Sequence, residues 1–238
     1  MSTPRSISYR FDFESGPAWN YVLNFNEHHH LVPGPCKPGP SKPGQSKEAR
    51  PWTKLEFCKC AHCPLNNSEH PQCPVARNID HIVEDSKEVI SYTEVNVTVS
   101  TPERQYLKKC ATQNGLVSLF GLIMATSGCP HLDWLRPLAR FHLPFSSIEE
   151  TLFRVLSLQL LGEFFDKDRK DAHISSEEIK RKYAAVGTLN HSFIKRIKTY
   201  CAGDADKNAI AALDIWVQAF ELYHEDNFEP LKPYFSKE

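Results

Sequence analysis

A chain of 238 residues, 41% hydrophobic and 24% charged, is long enough for one large domain or two small ones with a sizeable core. Its 28 basic and 29 acidic residues nearly cancel, which argues against a protein that works by neutralising many phosphates. The N-terminus lacks the apolar segment of a secretion signal, and the longest apolar stretch, Leu116 to Met124, is interrupted by Ser118 and Gly121 and is too short for a membrane span.

Ser6 to Phe13 alternates, with Ile7, Tyr9, Phe11 and Phe13 on one side and Ser8, Arg10 and Asp12 on the other, the pattern of a half-buried strand. Ser15-Gly16-Pro17 makes a turn, and Asn20 to Phe25 supplies a second strand, so a β-hairpin is expected. The run His28 to His30 follows. Three adjacent histidines on flexible backbone do not converge easily on one ion, so a solvated loop is the preferred reading and a metal role the alternative. Residues 32–51 hold six of the 17 prolines and three of the 10 glycines and read as an insert without regular structure.

Trp52 to Phe57 is read as a short strand. Glu88 to Ser100 is the clearest strand, rich in β-branched residues, with Val95, Val97 and Val99 in one alternating set. Thr101-Pro102-Glu103 has the form of a helix start, and a helix is expected from there to about Thr126. Further helices are expected over about Leu132 to Phe141, over Ile148 to Phe165 behind a Ser146/Glu149 capping box, from Ser175/Glu178 to about Tyr200 with an interruption at Gly187, and over Asn208 to His224. Strands first and helices after give an α+β class: a small antiparallel sheet with a Cys-rich metal knuckle, followed by a helical bundle. The division drawn from this pattern is 1–100, containing the insert and a knuckle over 57–75, and 101–238, a helical domain packed on it.

Eight cysteines in a chain expected to be cytoplasmic, where thiols stay reduced, suggest a metal or thiol role more than a disulfide framework. Four of them fall within sixteen residues as Cys58-x-Cys60-x2-Cys63-x9-Cys73. Thiolates are soft donors, and Zn2+ takes four in a tetrahedron. The expected site is a structural zinc held by Cys58, Cys60, Cys63 and Cys73, with His62 or His70 able to replace one sulfur. Four thiolates close the shell and leave no position for substrate. Because Cys63 and Cys73 precede proline, an iron–sulfur cluster serving redox or sensing is the alternative.

Ser127-Gly128-Cys129-Pro130-His131 suggests a second site. If a helix opens at Pro130 or His131, Cys129 sits at its N-terminus, where the helix dipole favours a thiolate. With His131, Arg136, Arg140 and His142 it would form a reactive-thiol or anion site and make the protein a thiol-dependent enzyme; Arg136 and Arg140, four apart, share a helix face. The bland reading is a helix corner with a buried cysteine and arginines paired to local acids.

The segments Tyr9-Arg10-Phe11, Cys60-Ala-His-Cys63-Pro64-Leu65, Cys73-Pro74-Val75-Ala76 and Ser127-Gly128-Cys129-Pro130 together resemble an uncharacterised family of bacterial cytoplasmic proteins. The resemblance spans most of the chain. It implies a bacterial source and supplies no activity. The function expected from the sequence is a zinc-stapled, non-catalytic binding or regulatory protein, with a protein or small molecule as partner and neither membrane nor nucleic acid.

Overall fold

The computed structural model describes residues 5–32, 49–166, 175–200, 204–225 and 228–235. The proline-rich insert lies almost wholly outside them. The fold is α+β: a four-stranded antiparallel sheet leads into helices.

The sheet is built from β1 (Arg5–Phe13), β2 (Trp19–Phe25), β3 (Glu94–Ser100) and β4 (Gln105–Ala111), in the order β2-β1-β3-β4. The hairpin expected at the N-terminus is present, with Tyr9 opposite Tyr21 and Ile7 opposite Leu23. The same alternation turns Ile7, Tyr9, Phe11, Tyr21, Leu23, Val95, Val97 and Val99 into the core, as side chains on a pleated strand take opposite faces in turn.

The third strand starts later than its sequence suggests. Val89 to Thr93 is a series of turns, pinned where the Ser91 N–H and hydroxyl both donate to the Asp204 carboxylate. The larger correction concerns Thr101-Pro102-Glu103. It is the turn of a β3–β4 hairpin, closed by Thr101 N–H to Arg104 O, and the helix begins only at Thr112. The sheet thus continues past residue 100, and the boundary drawn there falls inside a hairpin.

Helix α1 (Pro74–Ser86), absent from the sequence reading, buries Val75, Ile79, Ile82 and Val83. Helix α2 (Thr112–Thr126) is apolar nearly all round and lies against the sheet. Gly115 permits that approach: a Cβ there would stand 2.5 Å from a Phe11 ring carbon. The expected helix over about Leu132 to Phe141 is a 3₁₀ turn, Asp133–Leu135, and a single turn, α3 (Pro137–Arg140).

Helix α4 (Ile148–Phe165) has its capping box one residue later than expected. Ser147 accepts from Glu150 N–H, and the Glu150 carboxylate accepts from Ser147 N–H. Helix α5 (Ser176–Lys198) is capped by Ser175 as expected and runs through Gly187 without a break. Helix α6 (Ala205–Glu225) packs along α5 and α2. One continuous hydrophobic core joins the sheet to the helices. Among the described residues no helix is long and apolar enough to cross a membrane.

Candidate metal centre

The segment Trp52 to Phe57 is not a strand. Pro51–Thr53 forms one 3₁₀ turn, and the chain then leaves on a loop that returns at Cys73. Its base is closed by backbone pairs: Leu55 N–H to Pro71 O at 3.0 Å, Cys73 N–H to Thr53 O at 2.9 Å, and a bridge between Lys54 and Gln72. Within the loop, Cys63 N–H donates to Cys60 O at 3.0 Å, the turn that a C-x2-C step favours. Cys58 adopts a left-handed backbone, φ 46°, and is exposed. Cys73 caps α1, with Pro74 at the first helical position.

Cys129 comes from the turn after α2. It follows Gly128, whose φ of 81° lets the chain reverse after α2, and its carbonyl accepts from Leu132 and Asp133 N–H. Cys58, Cys60, Cys63, Cys73 and Cys129 line a single cavity of about 20 Å³, together with His131, Ser192 and Arg196. Cys129 and His131, read in the sequence as part of a separate site, therefore sit with the cysteine loop.

Electrostatics mark out four of the five sulfurs. Burial, against a backbone hydrogen bond from His131 and with help from negative charge on Cys73, Cys60 or Cys63, pushes the Cys129 thiol up to about 12. Burial likewise raises Cys60, joined by charge on Cys73 and Cys63, while the Ser192 hydroxyl and the Arg196 guanidinium favour its thiolate. Cys60 and Cys129 thus both lie within electrostatic reach of Cys63 and Cys73.

Arg196 lies in the wall of this cavity and is 2% exposed. Its guanidinium donates to Trp52 O, to Lys54 O at 2.7 Å and to Leu55 O at 3.3 Å, and stands 5.8 Å above the Phe57 ring. Among the described residues it has no carboxylate within 4.0 Å. A buried cation without an anionic partner is costly, so the thiols are its available counter-charge.

His62 and His131 stack with centroids 3.9 Å apart. His62 Nε2–H donates to Ala185 O at 3.0 Å and His131 Nε2–H to His62 O at 2.9 Å, which leaves both Nδ1 atoms with lone pairs. His62 Nδ1 is buried without a partner. His131 lines the cysteine cavity; His62 and His70 do not, so His131 is the imidazole in the cavity wall. Among the described residues no three His, Cys, Asp or Glu side chains are already gathered closely enough to hold a metal ion. The donor chemistry nevertheless suits a thiophilic cation: several sulfurs around one small space, with a fixed positive charge beside them.

The constellation of Cys129, His131, Arg136, Arg140 and His142 is not assembled. No helix opens at Cys129; the next helical turn starts at Asp133 with Leu132 as its cap. Burial raises the Cys129 thiol, the reverse of the activation a helix N-terminus would bring. Arg136 pairs with Asp133 and donates to the His28 carbonyl, and Arg140 pairs with Glu103 at 3.2 Å, a carboxylate that Arg5 also grips. His142 belongs to a different cavity, with Nε2 2.5 Å from the Tyr9 hydroxyl. The His28 to His30 loop is organised by the Asn26 side chain, which accepts from the His28 and His30 backbone N–H groups.

The family model described as a domain of unknown function (DUF6901) matches residues 7–236. The chain belongs to that family. No curated protein and no solved structure matches it. The match spans the sheet, the cysteine loop and the helices together, as the earlier resemblance implied.

Sequence reasoning missed Cys129, Ser192 and Arg196 as neighbours of the cluster. One signal was present: Cys63, Cys73 and Cys129 each precede proline.

Proposed function

We propose that the protein binds one zinc ion through the thiolates of Cys60, Cys63, Cys73 and Cys129, as a structural centre in a non-catalytic binding or regulatory protein. The observation that carries this reading is the shared small cavity, where three loop cysteines and a cysteine from the end of α2 meet beside a buried, carboxylate-free arginine. The set differs from the four consecutive cysteines of the motif by exchanging exposed Cys58 for buried Cys129.

Four thiolates and Zn2+ carry a net charge of −2, and Arg196 offsets part of it. A closed four-sulfur shell has no position for substrate, so the ion acts as a cross-link. It would tie the loop over residues 54–73 to the α2 end, and Arg196 ties the base of the loop to α5. Ligand deprotonation makes such binding strongly dependent on pH.

Metal analysis of purified protein tests the reading. About one zinc per chain and no visible absorbance are expected. Cys129→Ser should lose the ion, whereas Cys58→Ser should keep it. A brown protein containing iron and sulfide would replace zinc by a cluster, and full retention of zinc by Cys129→Ser with four sulfurs around it would return the set to the four motif cysteines.

A further inference from the structure

A second cavity, of about 310 Å³, opens among α2, α4, α5, α6 and the segment after α2. Its size falls at the lower end of the range occupied by small-molecule ligands. Most of its wall is aliphatic and aromatic, including Val117, Leu122, Val155 and Trp216. The polar groups on that wall are unevenly satisfied.

His142 and Ser118 are committed to the Tyr9 hydroxyl, at 2.5 Å and 3.1 Å. Asn190 is different. It is 1% exposed, and its Oδ1 has no hydrogen-bond partner. Burying an amide oxygen unpaired costs about 1–3 kcal/mol. Arg154 is half-buried. It donates to Leu138 O and Phe141 O, and among the described residues it has no carboxylate within 4.0 Å. Lys108 also lines the cavity, exposed, with its ammonium 5.6 Å from the Phe145 ring. No aspartate or glutamate is among the described lining residues. The cavity therefore joins an apolar body to two cations, with a buried amide awaiting a partner.

We infer that this cavity binds an amphipathic carboxylic acid of medium chain length, with its carboxylate at Arg154 and Lys108 and its chain between the helices. The charge pattern selects an anion over a neutral lipid, since a guanidinium offers paired donors to a carboxylate. Asn190 Oδ1 selects further: a hydroxyl on the chain supplies the hydrogen that the amide lacks. None of this rests on the metal centre.

Calorimetric titration of the full chain with decanoate, 10-hydroxydecanoate and decan-1-ol, each below its aggregation concentration, tests the inference. Decanoate should bind at least tenfold more tightly than decan-1-ol, and 10-hydroxydecanoate more tightly than decanoate. Arg154→Met should weaken decanoate about tenfold to a hundredfold, as loss of a charge-assisted hydrogen bond does, while leaving decan-1-ol within about twofold. Lys108→Met, at an exposed position on β4, should weaken decanoate by a smaller factor. Equal affinity for the acid and the alcohol, an equal loss of both in Arg154→Met with no effect of Lys108→Met, or no binding of either acid would overturn the inference.

Discussion

The two cavities are opposites. The cysteine-lined one is about 20 Å³ and lies where a loop pinned at its base meets the turn after α2 and one face of α5; the helical one is about 310 Å³ and lies mostly among α2, α4, α5 and α6. Each has a buried or half-buried arginine with no carboxylate within 4.0 Å among the described residues, although Glu150 acts on Arg154 from farther off. Arg196 spends its donors on three carbonyls of one loop and faces sulfurs, whereas Arg154 spends one nitrogen on two carbonyls and faces an apolar void. The lesson is that an unpaired buried cation takes its meaning from its surroundings. Among thiols it supports the proposed thiolate centre, and beside an apolar void it supports the proposed anion with an apolar tail.

The sharpest way to break the comparison is to remove the metal. If the small cavity is a cross-link and the large one a binding site, chelation should cost stability whereas an empty helical cavity should not. Structural zinc binding carries on the order of 10 kcal/mol in small domains, so a chelator should lower unfolding stability by more than about 3 kcal/mol, read by urea denaturation with and without the chelator. Cys73→Ser should reproduce that loss and make the protein insensitive to chelation. Cys110→Ser, on β4 away from the cavity lining, should do neither.

Arg196→Met should cost about 3 kcal/mol, because it strands three carbonyls and removes the charge beside Cys60. The same change should shift half-occupancy by zinc to higher pH, since the thiolates lose a favourable neighbour. A stability loss with no change in metal uptake would make Arg196 a tie for the loop alone.

A third comparison sets the cavities apart by acid. Burial holds His142 neutral and drops its pKa to about 3, helped by the positive charge of Arg154 and Arg5. A histidine with a depressed folded pKa contributes its full stability above the unfolded value, near 6.5, and loses it as pH falls toward 3. His142→Gln should therefore remove about 2 kcal/mol of the loss otherwise seen between pH 7 and pH 4.5, in unfolding curves recorded on metal-depleted protein. An unchanged pH profile would show that His142 titrates normally.

The sequence carried the chemistry-bearing residues and much of the sheet, and carried little of the cavities. Alternation in β1, β2 and the valines of β3 was legible because one face of each strand is buried. In β4, Gln105, Leu107, Lys108 and Lys109 are all exposed, so no alternation signals a strand, and Thr-Pro-Glu imitates a helix start. Helix α1 begins on Cys73, which makes no side-chain capping bond, so the usual start signal is missing. The cysteine motif suggested the proposed site, but the placement of Cys129 depends on how α2 packs on the sheet. The helical cavity left no trace, because Val155 or Trp216 beside a void reads no differently from core.

The zinc K-edge absorption spectrum of the purified protein tests the central claim most directly. Four sulfurs at about 2.3 Å, falling to three sulfurs and one lighter donor in any Cys129→Ser protein loaded with zinc, is the result this account predicts. A wild-type spectrum with nitrogen or oxygen in the shell, or four sulfurs retained in Cys129→Ser, would contradict it.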